Sequence, residues 1–218
     1  MEADRYFRLA MARDSIPPHV RHIYGFWHLV AIGRSQEAVH ECERRLQKDP
    51  LNVAGHTNLG YCLLAAGTDG EACTAFHKAL EFDPNFWFAF YGLGITHALQ
   101  GSLTEALPFA EKAHALAPWF PDTIGRLAGV LMRMDDAQRA EHLLENLKPA
   151  EKYGVPRGLA IFHALCGESD RAADWTEKAI EQRDPWVPLF IQSSLRKALS
   201  PTPRWSAIAR LINLRELR

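Results

Sequence analysis

Charge of one sign, long apolar runs and paired cysteines are all scarce in this chain. Its 218 residues carry 25 lysines and arginines against 26 aspartates and glutamates, a formal net charge of −1 with a pI near 6.8. Such a surface has no field to gather nucleic acid or an anionic membrane, so neither is expected as a partner. No stretch approaches the roughly 18 uninterrupted apolar residues of a membrane span. The opening residues, MEADRYFRLAMARD, lack the apolar centre of a secretory leader. Four cysteines (Cys42, Cys62, Cys73, Cys166) form no C-x-x-C pair. That argues against a zinc site or disulfide framework and for small buried side chains in a reducing compartment. The expected location is cytoplasmic, unless a longer, membrane-anchored parent carries the segment elsewhere. One asymmetry stands out: from Trp186 onward six basic residues face only Glu216, about +5 against about −6 for the body.

What is present is a beat of 34 residues. Pro50, Pro84 and Pro118 keep it, as do Gly33, Gly67 and Gly101, then Ala38, Ala72 and Ala106, and Gly60 with Gly94. Aligned on it, His56-x2-Leu59-Gly60-x2-Leu63, Ala72-x3-Phe76 and Pro84 lie above Phe90-x2-Leu93-Gly94-x2-His97, Ala106-x3-Ala110 and Pro118. This length and order resemble the tetratricopeptide (TPR) repeat family. The resemblance implies an all-α, right-handed superhelical solenoid of antiparallel helix pairs. Neither helix of a pair can bury its apolar stripe alone, so neighbouring pairs must stack. Small residues (Gly60, Gly94, Ala72, Ala106) allow close approach, and Leu59, Leu63, Leu93 and Phe76 fill the remaining space. Gly67 and Gly101 are expected to stop the first helix of their units in a left-handed conformation. Ser35 and Ser102 are candidate caps for the next helix, Ser102 with Glu105 in a capping box. Each proline closes its unit by disfavouring helical geometry in the residue before it.

The expected units are 19–52, 53–86, 87–120, 121–152 and 153–184, preceded by a half repeat at 2–13 and followed by capping helices over 186–218. The half repeat has Ala3, Phe7 and Ala10 where a second helix would carry Ala, Phe and Ala, but no first helix. It implies either a chain cut from a longer protein or a face that meets a partner. Residues 172–186 (AADWTEKAIEQRDPW) and 196–205 (RKALSPTPRW) also resemble the carboxy-terminal TPR segment of bacterial multidomain regulators, among them serine/threonine kinases, winged-helix activators and adenylate cyclases. That implies a sensory or docking segment of a signalling protein, without its effector's activity.

The residue types that carry chemistry do not stand at catalytic or ligand spacing. His19 and His22 are three apart, but no carboxylate stands at ligand spacing, and packing explains His22 and His56. His97 and His163 share a repeat position and are read as packed. His40-Glu41 has no second histidine at metalloprotease spacing, and Gly92-Leu93-Gly94 lies within a helix without a preceding strand. No hydrolase or kinase motif occurs. The expectation is a non-enzyme with no cofactor and no metal. The run 86–91 lacks interleaved basic residues, so it is not a base-stacking surface. Phe86, Trp87 and Phe90 should pack between units, and Phe88 and Tyr91 should face inward.

The resemblance implies that first helices line a concave groove that touches a polypeptide partner. Its positions here are Val20, Ile23, Trp27 and Val30; Thr57, Tyr61 and Leu64; Phe88, Tyr91, Ile95 and Leu99; Gly125, Met132 and Arg133; and Arg157 and Ile161. The Lys, Asn and Arg clamp for a chaperone's terminal carboxylate is absent, Asn58 alone being of suitable type. An apolar groove favours an amphipathic helix or extended apolar segment as ligand. Such a groove leads to the expectation that Tyr61→Ala and Tyr91→Ala weaken binding and leave stability alone. The stripe Trp205, Ile208, Leu211 and Ile212 is expected to cap the open end of the last unit rather than fill the central groove. Two functions follow: a protein-interaction scaffold, or a structural module forming a homodimer through the half repeat. Nothing specific favours sensing of a small apolar molecule.

Overall fold

The computed structural model describes residues 2–12, 20–21, 23–212 and 214. His19, His22 and the charges at Arg215, Glu216 and Arg218 lie outside the described residues. The chain is a succession of helices, with no strand among the described residues: α1 (Glu2–Met11), α2 (Ile23–Leu29), α3 (Ser35–Lys48), α4 (Val53–Ala66), α5 (Asp69–Phe82), α6 (Trp87–Leu99), α7 (Leu103–Leu116), α8 (Pro121–Arg133), α9 (Ala137–Leu144), α10 (Val155–Leu165) and α11 (Ser169–Glu181). Helix α2 is wound as a π-helix. A short 3-10 turn, Glu145–Leu147, follows α9. After α11 a continuous helical rod runs over 187–199, α-helical at both ends and π-helical through Ile191–Leu195. The last helix is Trp205–Leu211.

The 34-residue beat maps onto helix ends. Gly67 and Gly101 both stand at φ +82, and the next position on the beat, Asp135, adopts φ +62 without being glycine. A left-handed residue lets the chain reverse while its amide still serves the helix, as Gly67 N–H donates to Leu64 O. Helices α3, α5 and α7 end at Lys48, Phe82 and Leu116, each two residues before its proline, with a positive ψ at the residue between. Capping departs from expectation. Ser35 is already inside α3, and Ser102 makes no side-chain cap bond. The bonds come instead from Asn52 Oδ1, which accepts from Gly55 N at 2.7 Å, and Asp136 Oδ1, which accepts from Arg139 N at 3.3 Å. An amide side chain or carboxylate reaches these amides as well as a serine does.

Each first helix packs on the second helix of its own unit and on the first helix of the next. Gly60 illustrates the small-and-large rule: a Cβ there would stand 2.5 Å from the Phe76 ring, which is fully buried. Helices α8 and α10 approach more closely still. A Cβ on Gly125 would lie 2.0 Å from Gly158 O, so only two glycines permit this contact. At the amino end α1 lays Phe7 against Tyr24 and His28 of α2, with ring centroids 5.4 and 5.0 Å apart.

Candidate functional site

The concave face is made by α2, α4, α6, α8 and α10, and the chain itself covers it. Arg183 turns the chain after α11 with φ +55. Asp184 accepts from Trp186 N at 3.0 Å, and Trp186 then projects across the hollow. Its ring lies 4.6 Å from Trp27, 5.8 Å from Phe88 and 5.8 Å from Phe120, edge-on to each. Edge-to-face contacts at this range each add about 0.5–1.5 kcal/mol beyond burial. Phe190 of the rod, fully buried, stands edge-on to Tyr91 at 5.9 Å. Val187, Leu189, Ile191, Leu195 and Leu199 are buried along the same rod.

The residues expected to line an open groove therefore sort into three groups. Val30, Thr57, Tyr61, Tyr91, Ile95 and Ile161 are at most 1% exposed, Arg157 is 2% exposed, and Gly125, Leu64 and Phe88 are also buried. Val20, Trp27, Leu99 and Met132 are half-buried, and only Ile23 and Arg133 are exposed. The expectation that Tyr61 and Tyr91 form a solvent-facing binding surface is corrected: both rings are enclosed. Tyr61 O–H donates to Phe88 O at 2.9 Å, and Tyr91 O accepts from Arg126 Nη2 at 2.9 Å. The physical cause is the rod, which supplies the apolar cover that water could not. Phe88 and Tyr91 do face inward, while Phe86, Trp87 and Phe90 are half-buried. His97 stacks on Phe109 at 5.5 Å, and His163 Nδ1 lies 2.6 Å from Glu168 Oε2.

A buried charge cluster fixes the start of the rod. Arg157 of α10 donates from Nε to both Asp122 oxygens of α8, at 2.9 and 2.8 Å, and from Nη1 to Asp184. Burial pulls Arg157 down, but Asp122 and Asp184 more than offset it and hold its guanidinium above its usual range. Burial pushes the Asp122 carboxyl up, against the opposing pull of Arg157. Removing one partner of such a group typically costs about 3–5 kcal/mol, because it strands the others.

The last helix does not enter the hollow. Arg204 at its start pairs with Asp174 and Glu177 of α11, and Ile208 is buried while Leu211 is 58% exposed. The central occupant, Trp186 with the rod, was missed in the sequence. Its signal was the charged pair Arg183-Asp184 followed by Pro185 and a tryptophan, a turn that throws a large apolar side chain back towards the repeats.

Stacked helix pairs around a concave face define a helical-repeat scaffold of the kind that holds polypeptides. Tetratricopeptide repeat models match residues 26–86 and 97–153, and the chain belongs to that family. TPR proteins are protein-interaction scaffolds. A curated relative, the probable UDP-N-acetylglucosamine–peptide N-acetylglucosaminyltransferase SPINDLY of Arabidopsis thaliana, is 35% identical over 71 residues, 33% of this chain. The chain spans only 8% of that relative. A thermophilic TPR protein of Thermus thermophilus superposes with TM-score 0.60 at 20% identity, over 84% of this chain and 98% of its own. YrrB, described as a TPR protein with an unusual peptide-binding site, gives TM-score 0.52 at 19% identity, over 85% and 97%. At these identities the likeness establishes the fold alone. Among the described residues no helix is long and apolar enough to cross a membrane.

Proposed function

We propose that this chain is a protein-interaction module whose concave face holds an apolar helical segment, and that residues 186–199 occupy in cis the place a partner's segment takes. The observation that carries the reading is the cover itself. Trp186, Phe190 and Leu195 present a helical apolar stripe to the inner positions at which the family's groove would meet a ligand. The fit is imperfect in ways that favour exchange. Gln192 is 4% exposed and its Nε2 has no acceptor among the protein's atoms, and the rod passes through a π-helical turn at Ile191–Leu195. The likeness of 172–186 and 196–205 to regulator tails supports placing the module in a larger bacterial signalling protein, where release of the rod exposes the groove.

The test uses a fluorescent peptide of residues 185–199 added in trans. Trp186→Ala with Phe190→Ala loosens the tethered rod, so the variant is expected to take up the peptide at least tenfold more tightly than the parent chain. A variant that keeps its helical circular dichroism yet ignores the peptide refutes the reading.

A second reading is self-association through the half repeat. It rests on Tyr6 and Leu9, which remain 62% and 57% exposed on α1 although Phe7 is packed. Light scattering that gives a dimer, converted to monomer by Leu9→Glu, supports it. A monomer throughout removes it.

A further inference from the structure

Beside the rod, bordering the aromatic hollow, lies a cleft of about 620 Å³. Leu99, Ile161, Leu165 and Leu195 give it apolar walls. Its charged lining is cationic: Arg126 and Arg133 come from α8, Lys197 comes from the rod, and no aspartate or glutamate joins them, the neutral polar groups being Gln100 and Ser169. Arg126 is 1% exposed, with its guanidinium 4.5 Å over the Tyr91 ring and Nη2 on the Tyr91 oxygen. Its Nε and Nη1 find no acceptor among the protein's atoms. A buried charged group with unmade hydrogen bonds is rare in a settled core and asks for a partner. The other two cations are poorly served. Arg133 Nη1 reaches Ala98 O at 3.3 Å and Lys197 Nζ reaches Leu99 O at 3.4 Å, both long bonds to neutral carbonyls.

Asp122 and Asp184 both pair with Arg157, and Arg126 acts on Asp122 through its charge alone, so the two buried carboxylates balance the two buried guanidiniums and Arg126 lacks acceptors rather than counter-charge. The excess positive charge of the cleft belongs to Arg133 and Lys197, which are exposed.

We propose that this cleft binds a carboxylate carried on a short apolar stem. The carboxylate oxygens accept from Arg126, Arg133 and Lys197, since an anion adds Coulombic attraction that a neutral carbonyl does not offer these cations. The stem lies along Leu99, Ile161, Leu165 and Leu195. The arrangement differs from a clamp built on first helices alone, because Lys197 belongs to the rod and the site is complete only when the rod is docked. A segment that displaced the rod from the concave face would take Leu195 and Lys197 with it and dismantle the site.

The shared chemistry has two sources, a free small acid or the carboxy terminus of a polypeptide, and titration calorimetry on the full chain separates them. Hexanoate, hexanol, and a Gly-Gly-Leu tripeptide as free acid and as amide are the probes. Saturable binding of hexanoate or of the tripeptide acid, with hexanol and the amide at least tenfold weaker, is the expected result. The stronger of the two acids names the source. Arg133→Gln with Lys197→Gln changes only exposed groups and should lower the affinity at least tenfold while leaving the melting temperature within 2 °C, about the range of an ordinary surface change. Equal binding of hexanol and hexanoate, no binding of either acid at millimolar concentration, or undiminished affinity in the Arg133/Lys197 variant overturns the proposal.

Discussion

Replacing Gly125 by alanine adds a single methyl group and should nevertheless cost more stability than most core truncations. The new Cβ would meet Gly158 O at 2.0 Å and Gly158 C at 2.7 Å, and both atoms are backbone of α10. No rotamer relieves such a clash, so α8 and α10 must part by roughly an ångström to reach ordinary van der Waals distance. Overpacking of this kind costs about 1–3 kcal/mol. The separation also pulls Asp122 from Arg157, which are held at 2.8 Å across the same two helices, and a broken buried pair adds up to about 3–5 kcal/mol. Alanine's better helix propensity returns about 1 kcal/mol. A net loss of about 3–7 kcal/mol is expected, a large part of the 5–15 kcal/mol typical of a domain. Gly70→Ala in α5 is the control, since its Cβ meets nothing within 4 Å and a small gain of up to about 1 kcal/mol is expected there. Urea denaturation followed by circular dichroism reads both. Because Arg157 also holds Asp184, tryptophan fluorescence from Trp186 should shift in Gly125→Ala before the main transition. A loss below about 1 kcal/mol at Gly125, or the same sign at both glycines, refutes the close-approach argument.

Tyr61→Phe removes the O–H that serves the buried Phe88 carbonyl and should cost about 1–3 kcal/mol in urea unfolding, whereas Tyr61→Ala should cost about 3–5 kcal/mol. An unchanged midpoint in the alanine variant would restore the ring to the surface. Burial raises the Cys62 thiol well above its usual range, helped by Cys42 at 3.6 Å, and burial pushes Cys166 up to about 11. Ellman's reagent at pH 8 should therefore leave Cys42 and Cys62 untouched in the native protein and count all four thiols in denaturant, and rapid native labelling of Cys62 contradicts this. Burial holds the His114 imidazole below its ordinary value near 6.5. The unfolded chain then binds a proton where the folded chain does not, so stability is lost as pH falls through 6.5. His114→Leu should flatten that part of the urea-midpoint profile between pH 7 and 5, and a slope unchanged by the substitution counts against the burial.

The glycine–proline cadence made the repeat legible because each element of it answers to a local constraint. Gly67 and Gly101 occupy left-handed positions, the prolines follow helix ends, and Gly60 faces Phe76. Asp135 shows where letter and geometry part: the beat demands a left-handed residue, and an aspartate supplies it. What covers the inner positions was not legible. Hydrophobicity at Tyr61, Tyr91 and Ile95 is the same whether a partner or the chain's own rod covers them.

The sequence by itself determined the period and the all-helical repeat, since these depend on contacts within one unit and between neighbours. The tertiary structure alone decided that Trp186 crosses the hollow, that Asp184 joins Asp122 on Arg157, and that Lys197 meets Arg126 and Arg133 at one cleft. Those contacts join residues far apart along the chain, through a turn whose direction no periodicity encodes. They exist because the solenoid's curvature brings its last segment back across its own inner helices.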